Sequence, residues 1–337
     1  MYIRATGNIS PQNTFGSGEL LENPVLQPGN RMACVEPDYK ELIDPKMIRR
    51  MSRIIRMGVA AASACLKAAE VTQPDAIITG TAYGCLEDTG VFLSKMVEFN
   101  EELLTPTAFI QSTHNTIGAQ IALLLKCHHY NNAFVHRGFS FETALLDAVL
   151  LLKDEEAATV LVGGVDEITD ISHAILSRLG LYRNTVAGEG AAFFLLSANP
   201  SVNDAAKLEG LATCYKPENK ETVQRFISAF LEKHNTALSD IDLIISGRNG
   251  DTTNDAIFEE LGSTAFAGKP FVNYKQLCGE YPTSTAFAMW LAVHILKNQA
   301  VPELLVSQPH APDKLKKILI YNHSQNIHHS LLLISAC

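Results

Sequence analysis

The sequence predicts an α/β fold with a layered core, and two patterns carry this prediction. Short apolar runs that end near glycines alternate with longer stretches whose apolar residues recur at helical spacing, an order typical of α/β proteins. The alternation restarts near Leu208, which suggests two similar halves, although no short repeat period is visible. Hydrophobic residues make up 47% of the 337 residues, which suffices for a sizeable core.

The first half is predicted to begin with a strand and then a long helix. A short strand at Tyr2–Ala5 is followed by a turn at Gly7 and by an irregular segment rich in Pro, Gly and Asn. Asp44 before Pro45 is typical of a helix start. Helical spacing then continues to Glu70.

The rest of the first half alternates between strands and helices. The predicted elements are the strands Ala76–Gly80, Ala133–Val135, Thr159–Val162 and Ala191–Leu196 and the helices Thr116–Leu125 and Glu142–Asp154. We expect the strand at Ala133–Val135 to be short and buried. We expect the glycine pair after Val162 to end the next strand.

The second half repeats the alternation. Its predicted strands are Leu208–Ala212, Ile241–Ser246, Phe271–Tyr274, Lys317–Tyr321 and Ser330–Ser335, and its predicted helices are Glu221–His234, Asp255–Leu261 and Thr285–Lys297. The last two strands flank a predicted loop, NHSQNIHH. We therefore divide the chain into an N-terminal half, residues 1–205, and a C-terminal half, residues 206–337.

Composition argues against several classes of partner. The formal net charge is -9, whereas nucleic-acid binding needs a basic surface. No stretch reaches the roughly 18 apolar residues of a membrane helix, and the first residues lack the apolar run of a signal peptide. The seven cysteines include no CxxC pair, so we expect reduced thiols in a cytoplasmic protein.

No cofactor or metal is expected from the motifs. The segment TGTAYG after the strand at Ala76–Gly80 has neither the GK[ST] of a P-loop nor a full GxGxxG, so it is predicted to be a tight turn. The histidine pairs at 128–129 and 328–329 are adjacent in sequence. Neighbours of this kind rarely face one ligand, which argues against a metal site.

Seven segments follow one another in an order that is specific as a set. They are Ile3–Pro11, Pro45–Ala69, Thr79–Gly84, Thr105–Gly118, Val162–Asp166 (VGGVD), Gly188–Ala191 (GEGA) and Lys275–Glu280 (KQLCGE). In order and spacing they resemble β-ketoacyl-[acyl carrier protein] synthases over nearly the whole chain. The resemblance implies a thiolase-like five-layer αβαβα sandwich made of two similar halves. It also implies a dimer paired through the strand before the nucleophile.

The resemblance places the nucleophile of a condensing enzyme within residues 132–152. Such an enzyme carries its acyl chain on a cysteine thiolate at a helix N-terminus. Here the cysteine position is filled by Phe139, which has neither a nucleophile nor an ionisable group. The nearest cysteine is Cys127, outside the segment.

Both histidine positions of the family have also changed. The first is expected after the strand that ends at Ser246, in the loop GRNGDT, which contains no histidine. The second is filled by Glu280, whose carboxylate would repel a malonyl carboxylate. The family's lysine is retained as Lys275, and its glycine-rich C-terminal loop is replaced by YNHSQN. We infer that the ordinary condensing site is lost and its pocket reshaped.

The other candidate residues each have two interpretations. Phe139 either plugs the old pocket or gates a neighbouring tunnel. Ser140 either caps the following helix or acts as a nucleophile with His136. Cys278 is interpreted as a buried thiol rather than as a relocated nucleophile. The histidines that could line a rebuilt pocket are His114, His136 and His323.

The resemblance favours a partner subunit over a complete enzyme. In several polyketide and pigment pathways, one subunit of a ketosynthase dimer lacks the cysteine, and this chain-length factor shapes the tunnel that measures the product. Such subunits usually have a glutamine where this chain has Phe139. We expect a chain-length-factor-like subunit of fatty acid, polyketide or aryl-polyene-type biosynthesis.

The expected partners are a complete ketosynthase, or a second copy of this chain, and an acyl carrier protein. Two alternatives stay open. One is an acyl-thioester transferase or hydrolase with a rebuilt site. The other is a scaffold that only binds the acyl carrier protein.

Overall fold

The computed structural model describes residues 1–16, 23–27, 29–102, 104–302, 305, 311–312 and 314–337. In these ranges the strands are β1 (Tyr2–Ile9), β2 (Ala76–Gly80), β3 (Tyr130–Phe134), β4 (Thr159–Asp166), β5 (Gly190–Ser197), β6 (Ala206–Tyr215), β7 (Leu243–Ser246), β8 (Phe271–Asn273), β9 (Lys317–Ser324) and β10 (His328–Ser335). The helices are α1 (Pro45–Ile48), α2 (Arg53–Ala68), α3 (Leu86–Glu98), α4 (Pro106–Gln111), α5 (Thr116–Leu125), α6 (Ser140–Lys153), α7 (Asp170–Arg178), α8 (Lys220–Lys233), α9 (Thr252–Ser263), α10 (Lys275–Cys278) and α11 (Thr285–Asn298). Short 3₁₀ turns lie at Tyr39–Glu41, Arg137–Phe139 and Leu238–Asp240.

The described strands join into one mixed sheet in the order β3-β2-β4-β5-β1-β6-β10-β9-β7-β8. The order within each half is the same, β3-β2-β4-β5-β1 in the first and β8-β7-β9-β10-β6 in the second. The halves meet where β1 and β6 pair antiparallel, with Tyr2 opposite Lys207 and Ile3 opposite Ala206. The shared order supports a duplication, and we keep the boundary between residues 205 and 206 as a proposal.

Three hydrophobic clusters separate five layers. Helices α2 and α5 cover the outer face of the N-terminal strands. Helices α6 and α11 lie between the inner faces of the two groups of strands. Helices α8 and α9 cover the outer face of the C-terminal strands. The thiolase-like five-layer αβαβα sandwich that the sequence predicts is therefore confirmed.

Helix α11 is buried on all sides because it lies in the middle layer. All of its residues from Thr285 to Leu296 are buried. Trp290, the single tryptophan of the chain, is 2% exposed. A helix that is apolar all round needs such a position, since it has no polar face to offer to water.

The predicted helix from Asp44 to Glu70 is two helices, so this prediction is wrong in its middle. Asp44 does cap the first helix, because its Oδ1 accepts the N–H of Lys46 at 2.7 Å. After α1 ends, Ser52 takes an extended backbone conformation with φ -67° and ψ 172°, which cannot continue helical hydrogen bonding. The sequence also gives no prediction of α3, α4 or α7, whose exposed faces carry apolar residues such as Val97.

Two predictions made at glycines are wrong, because these glycines serve close packing. β1 continues through Gly7 to Ile9. A Cβ at Gly7 would lie 2.0 Å from the carbonyl oxygen of Ala61, so the glycine lets α2 lie against β1. The glycine pair does not end β4 either. Gly163 makes room for the ring of Phe193, 2.4 Å from where a Cβ would stand.

Two strand predictions are also corrected. The predicted buried strand Ala133–Val135 is an edge strand that begins at Tyr130, and Val135 lies outside it with 48% exposure. The predicted loop NHSQNIHH is mostly strand, because β9 and β10 extend into it and pair. Gln325 and Asn326, both left-handed with φ 55° and 53°, make the turn between them.

Candidate functional site

Phe139 lies in a tight turn at the start of α6. The turn Arg137–Phe139 is a 3₁₀ turn whose first residue is left-handed, with φ 51°. The Phe139 side chain is 4% exposed. Its ring centroid lies 4.8 Å from that of His328 and 5.7 Å from that of His136. The position that the family resemblance assigns to a thiolate is therefore filled by a packed ring.

The glycine before Phe139 fixes the contact between this turn and the other half of the molecule. A Cβ at Gly138 would lie 2.7 Å from the Cβ of Ser324 at the end of β9. A side chain would therefore push the turn away from the β9–β10 hairpin. Gly138 thus keeps Phe139 against His328, the first residue of β10.

Ser140 is held by backbone groups and does not pair with the ring of His136. The Ser140 hydroxyl donates to the carbonyl of Arg137 at 2.8 Å and accepts the backbone N–H of His136 at 2.9 Å. Nδ1 of His136 lies 3.1 Å from Oγ1 of Thr143. The predicted helix cap is wrong in detail, since Ser140 is the first residue of α6 and its hydroxyl closes the preceding turn.

Lys275 and Glu280 form an ion pair at the place where the family resemblance puts the second histidine. Lys275 Nζ lies 2.7 Å from Glu280 Oε2, and the two side chains are 1% and 16% exposed. Asn249, from the loop expected to hold the first histidine, donates its Nδ2–H to the same oxygen at 2.8 Å. Both replaced positions are therefore tied to each other and to the retained lysine.

The two halves are joined by backbone contacts beside this ion pair. The N–H of Gly188 donates to the carbonyl of Glu280 at 3.0 Å, and the N–H of Glu280 donates to the carbonyl of Val186 at 2.8 Å. A Cβ at Gly188 would lie 1.9 Å from the carbonyl oxygen of Cys278. The GEGA segment therefore needs its first glycine to meet the KQLCGE segment.

The glutamate of GEGA anchors the N-terminal segments. Glu189 accepts two hydrogen bonds from Arg53, at 2.7 and 2.6 Å, and one each from the backbone N–H groups of Cys34 and Ile168. Its side chain is fully buried, whereas that of Arg53 is 24% exposed. This bidentate pair holds α2 against the loop that follows β4.

Asp166 ties the end of β4 to both halves. Its carboxylate accepts hydrogen bonds from the Thr81 hydroxyl, from the N–H groups of Ala82 and Tyr83, and from both the N–H and the hydroxyl of Thr283. Burial raises its pKa to about 6, although these hydrogen bonds act in the opposite direction. The five donors indicate a structural role for this carboxyl group.

Glu142 is a buried residue of this region that the sequence analysis does not single out. It lies in the first turn of α6 with 0% exposure. Burial raises its pKa to about 7, opposed by the hydroxyls of Thr285 and Ser330. Helical spacing could have revealed it, since Leu145 three residues later is fully buried on the same helix.

The imidazole ring of His323 lies in the outer layer, whereas its backbone carbonyl accepts a hydrogen bond from Lys275 Nζ at 3.5 Å. Side chains alternate along β9: Asn322 reaches inward to Thr285, whereas the ring of His323 stacks on Phe258 of the outer layer at 4.8 Å. The His323 ring accepts the N–H of Asn326 at Nδ1, so Nε2 carries the proton and donates to a carbonyl. Burial lowers the pKa of His323 well below its usual value.

The remaining candidates are spread over different surroundings. His114 is exposed and contacts the turn at Gly84. His136 is exposed beside Phe139. Cys278 is fully buried, as expected for a packed thiol, and burial raises its pKa well above the usual value. A thiol in that state is a poor nucleophile.

The described part of the chain offers neither a metal cluster nor a membrane-spanning helix. Within it, no group of three or more His, Cys, Asp and Glu side chains is placed to hold a metal ion. Among the described helices, none is long and apolar enough to cross a bilayer. The arrangement instead brings the two halves together at two contacts, the packing of Phe139 on His328 and the buried ion pair of Lys275 and Glu280.

A family model described as "Beta-ketoacyl synthase, N-terminal domain" matches residues 27–238, more than half of the chain. None of the curated protein sequences matches significantly. Solved structures match over the whole length at low identity. The ishigamide ketosynthase/chain length factor has a TM-score of 0.77 and 17% identity, covering 100% of this chain and 98% of that one.

Two further solved structures are similar to the same extent. A type II polyketide ketosynthase bound to a hexaketide, in complex with its acyl carrier protein, has a TM-score of 0.78 and 15% identity, covering 100% of this chain and 99% of that one. A ketosynthase in complex with its chain length factor from Xenorhabdus doucetiae has a TM-score of 0.78 and 16% identity, covering 100% and 98%. At these identities the likeness concerns the fold.

Proposed function

The chain belongs to the β-ketoacyl synthase family, and we propose that it acts as a non-condensing, chain-length-factor-like subunit that pairs with a complete ketosynthase. The observation that carries this proposal is the burial of Phe139 at the nucleophile position, 4% exposed and packed on His328. A ring at this position cannot carry an acyl group. The family fold is retained around it.

The ion pair between Lys275 and Glu280 supports the same role. Condensation needs donors that polarise a malonyl thioester and its carboxylate. Here Glu280 brings a negative charge instead, and its Oε2 is already bound by Lys275 and Asn249. The retained lysine is therefore neutralised within the protein.

The outer surface of the N-terminal half fits a protein partner. Among the described residues 20 large hydrophobic side chains are exposed; 14 lie from Val91 to Leu179, and only Tyr215 lies after residue 205. Leu146 and Leu150 belong to α6, which contacts the edge strand β3. An edge strand flanked by exposed apolar side chains is suited to pairing with another subunit.

Two of the similar structures give this partner its identity in the proposal. Each contains a ketosynthase together with a chain length factor. By analogy, β3 of this chain would pair with the corresponding strand of a complete ketosynthase, in polyketide, aryl-polyene-type or fatty acid biosynthesis.

A groove near α1 supports the acyl carrier protein as a second partner. It has a volume of about 310 Å³, and Lys46 and Arg50 line it together with Met47, Ile110 and Leu123. A groove lined by both basic and apolar residues suits an acidic helix with an apolar face. Such a local basic patch contrasts with the net charge of -9.

Co-expression with a complete ketosynthase and a carrier protein encoded beside it tests the proposal. We expect a stable heterodimer whose product length changes when this subunit is exchanged or omitted. Purification as a strict homodimer that ignores every such ketosynthase overturns it. Carrier binding without any effect on product length favours a scaffold instead. An acyl adduct or turnover of acyl thioesters by this chain alone favours a transferase or hydrolase.

A further inference from the structure

Glu142 reaches from one half of the molecule into the other without contact to solvent. It is 0% exposed on the inward face of α6. The nearby hydroxyls of Thr285 on α11 and Ser330 on β10 lower the pKa of its carboxyl group, against the larger effect of burial. Neither meets full hydrogen-bond geometry with it, and both carboxyl oxygens remain without a partner.

An ionised Glu142 would lack a compensating charge. The charge of Lys275 lowers the pKa of Glu142, but the Lys275 ammonium group is already paired with Glu280 at 2.7 Å. A buried carboxylate without a partner is costly, whereas a neutral acid can donate its O–H to a neighbouring hydroxyl. The geometry therefore favours the neutral form.

The other cations near the middle layer do not pair with Glu142. The elements packed against α6 and α11 carry the buried groups Asp166, Tyr321, His323, His328 and His329 and the half-buried or exposed cations Arg4, Arg137, Lys207 and Lys317. The main influences on the pKa of Glu142 include the charge of Lys275 but none of these four cations. Burial lowers the pKa of each of the three histidines, so their rings are neutral. The charges around Glu142 are therefore balanced only while its carboxyl group keeps its proton.

We propose that Glu142 is a proton-controlled latch between the two halves: the neutral acid permits α6 to pack against α11, and loss of its proton favours states in which this packing opens. The latch does not depend on the partner-subunit role. It follows from the position of one carboxyl group between two helices of the middle layer.

Linkage sets the direction and size of the effect. The pKa of Glu142 is about 7 in the closed protein, compared with 4.5 for a hydrated glutamate. An open state that hydrates Glu142 therefore gains up to about tenfold in population for each pH unit between these values, about 300-fold in all. Raising the pH through this window favours opening.

Hydrogen exchange on the full chain, corrected for the intrinsic pH dependence of amide exchange, tests the latch. In the wild type we expect amides of α6 and α11 to exchange faster as the pH rises from about 5 to about 7. E142Q keeps the shape but cannot titrate, so its corrected rates should stay flat. E167Q is the matched control, because Glu167 is also buried with a pKa raised to about 7, and it should retain the rise.

Equal pH dependence in the wild type and in E142Q overturns the latch, and so does a rise that spares both α6 and α11. If E142Q fails to fold, E142M takes its place, since methionine is similar in length and has no charge. Trp290 on α11 gives a second measurement. Its emission should shift toward that of a hydrated indole with rising pH in the wild type and in E167Q but not in E142Q.

Discussion

The ring of Phe139 meets the ring of His328 edge to face, with centroids 4.8 Å apart and planes at 86°. Phe139 precedes α6 in the N-terminal half, and His328 begins β10 in the C-terminal half. The contact therefore closes the join at the point where the family resemblance places an acyl-bearing thiolate. A packing contact stands where a condensing enzyme needs a reactive group.

Removing this ring should destabilise the protein. We expect Phe139→Ala to lower the free energy of unfolding by about 3–5 kcal/mol, because it leaves a cavity in a closely packed join. Phe109→Ala is the control, since that side chain is 57% exposed, and should change it by about 0.5 kcal/mol or less. Denaturant unfolding measures both, and equal effects would contradict the packing of Phe139.

Restoring the thiol should not restore condensation. Phe139→Cys places a sulfur at the nucleophile position, but the loop 247–252 still has no histidine and Glu280 still binds Lys275. We expect no condensed product from acyl and malonyl thioesters by mass spectrometry. A condensed product above the background of the wild type would count against the non-condensing role.

Breaking the buried ion pair should cost more than removing both partners. Glu280→Gln leaves the Lys275 ammonium, 1% exposed, without a counter-charge, which costs about 3–5 kcal/mol. Adding Lys275→Met should recover most of this loss. A double-mutant cycle measures the coupling, and simple additivity would show that the pair is not coupled.

An exposed pair provides the comparison for this cycle. Lys207 and Glu209 lie 2.9 Å apart with side chains 36% and 28% exposed. Water screens such a pair, so Glu209→Gln should cost about 1 kcal/mol or less. A similar cost for the two pairs would mean that the Lys275–Glu280 pair is more hydrated than its burial indicates.

Local patterns in the sequence predicted most of the regular elements, because those depend on neighbours along the chain. The helix Thr116–Leu125 has the predicted bounds, and its apolar residues alone define it. Gly7 was predicted as a turn and Gly163 as the end of a strand, because glycine favours turns. Their actual reason is the close approach of Ala61 and Phe193, and no local pattern shows a neighbour that distant.

The candidate site also depends on contacts between residues that are distant in sequence, which local patterns do not reveal. Family resemblance located Phe139, Lys275 and Glu280, but the bond from Asn249 to Glu280 joins residues 31 positions apart. The side on which His323 lies depends on the register of β9, which a predicted loop could not provide. Tertiary contacts therefore decide which of the candidate residues meet.

A proline in the edge strand should weaken partner binding selectively. The N–H of Ala133 donates to the side chain of its neighbour Asn132 at 2.9 Å, and β3 is an edge strand, so we expect Ala133→Pro to remove little from the fold. We expect an unchanged circular dichroism spectrum but at least about tenfold weaker binding to a complete ketosynthase. Tyr215→Ser, at a side chain 65% exposed in the other half, is the control. Equal affinity of the Ala133→Pro variant and the wild type would exclude β3 as the interface.

Buried histidines should make the protein sensitive to acid. Burial lowers the pKa of His294 and His329 to about 4, from 6.5 in a hydrated chain. Between these pH values the unfolded chain binds more protons than the folded chain. Each histidine therefore contributes stability that is complete above about pH 6.5 and is lost as the pH falls toward 4. The loss is about 3 kcal/mol for each histidine. His294→Asn should therefore flatten the dependence of unfolding free energy on pH in this window, whereas the exposed His129→Asn should not. Chemical denaturation at a series of pH values gives both slopes, and an unchanged slope in His294→Asn would show that this ring already titrates freely in the folded protein.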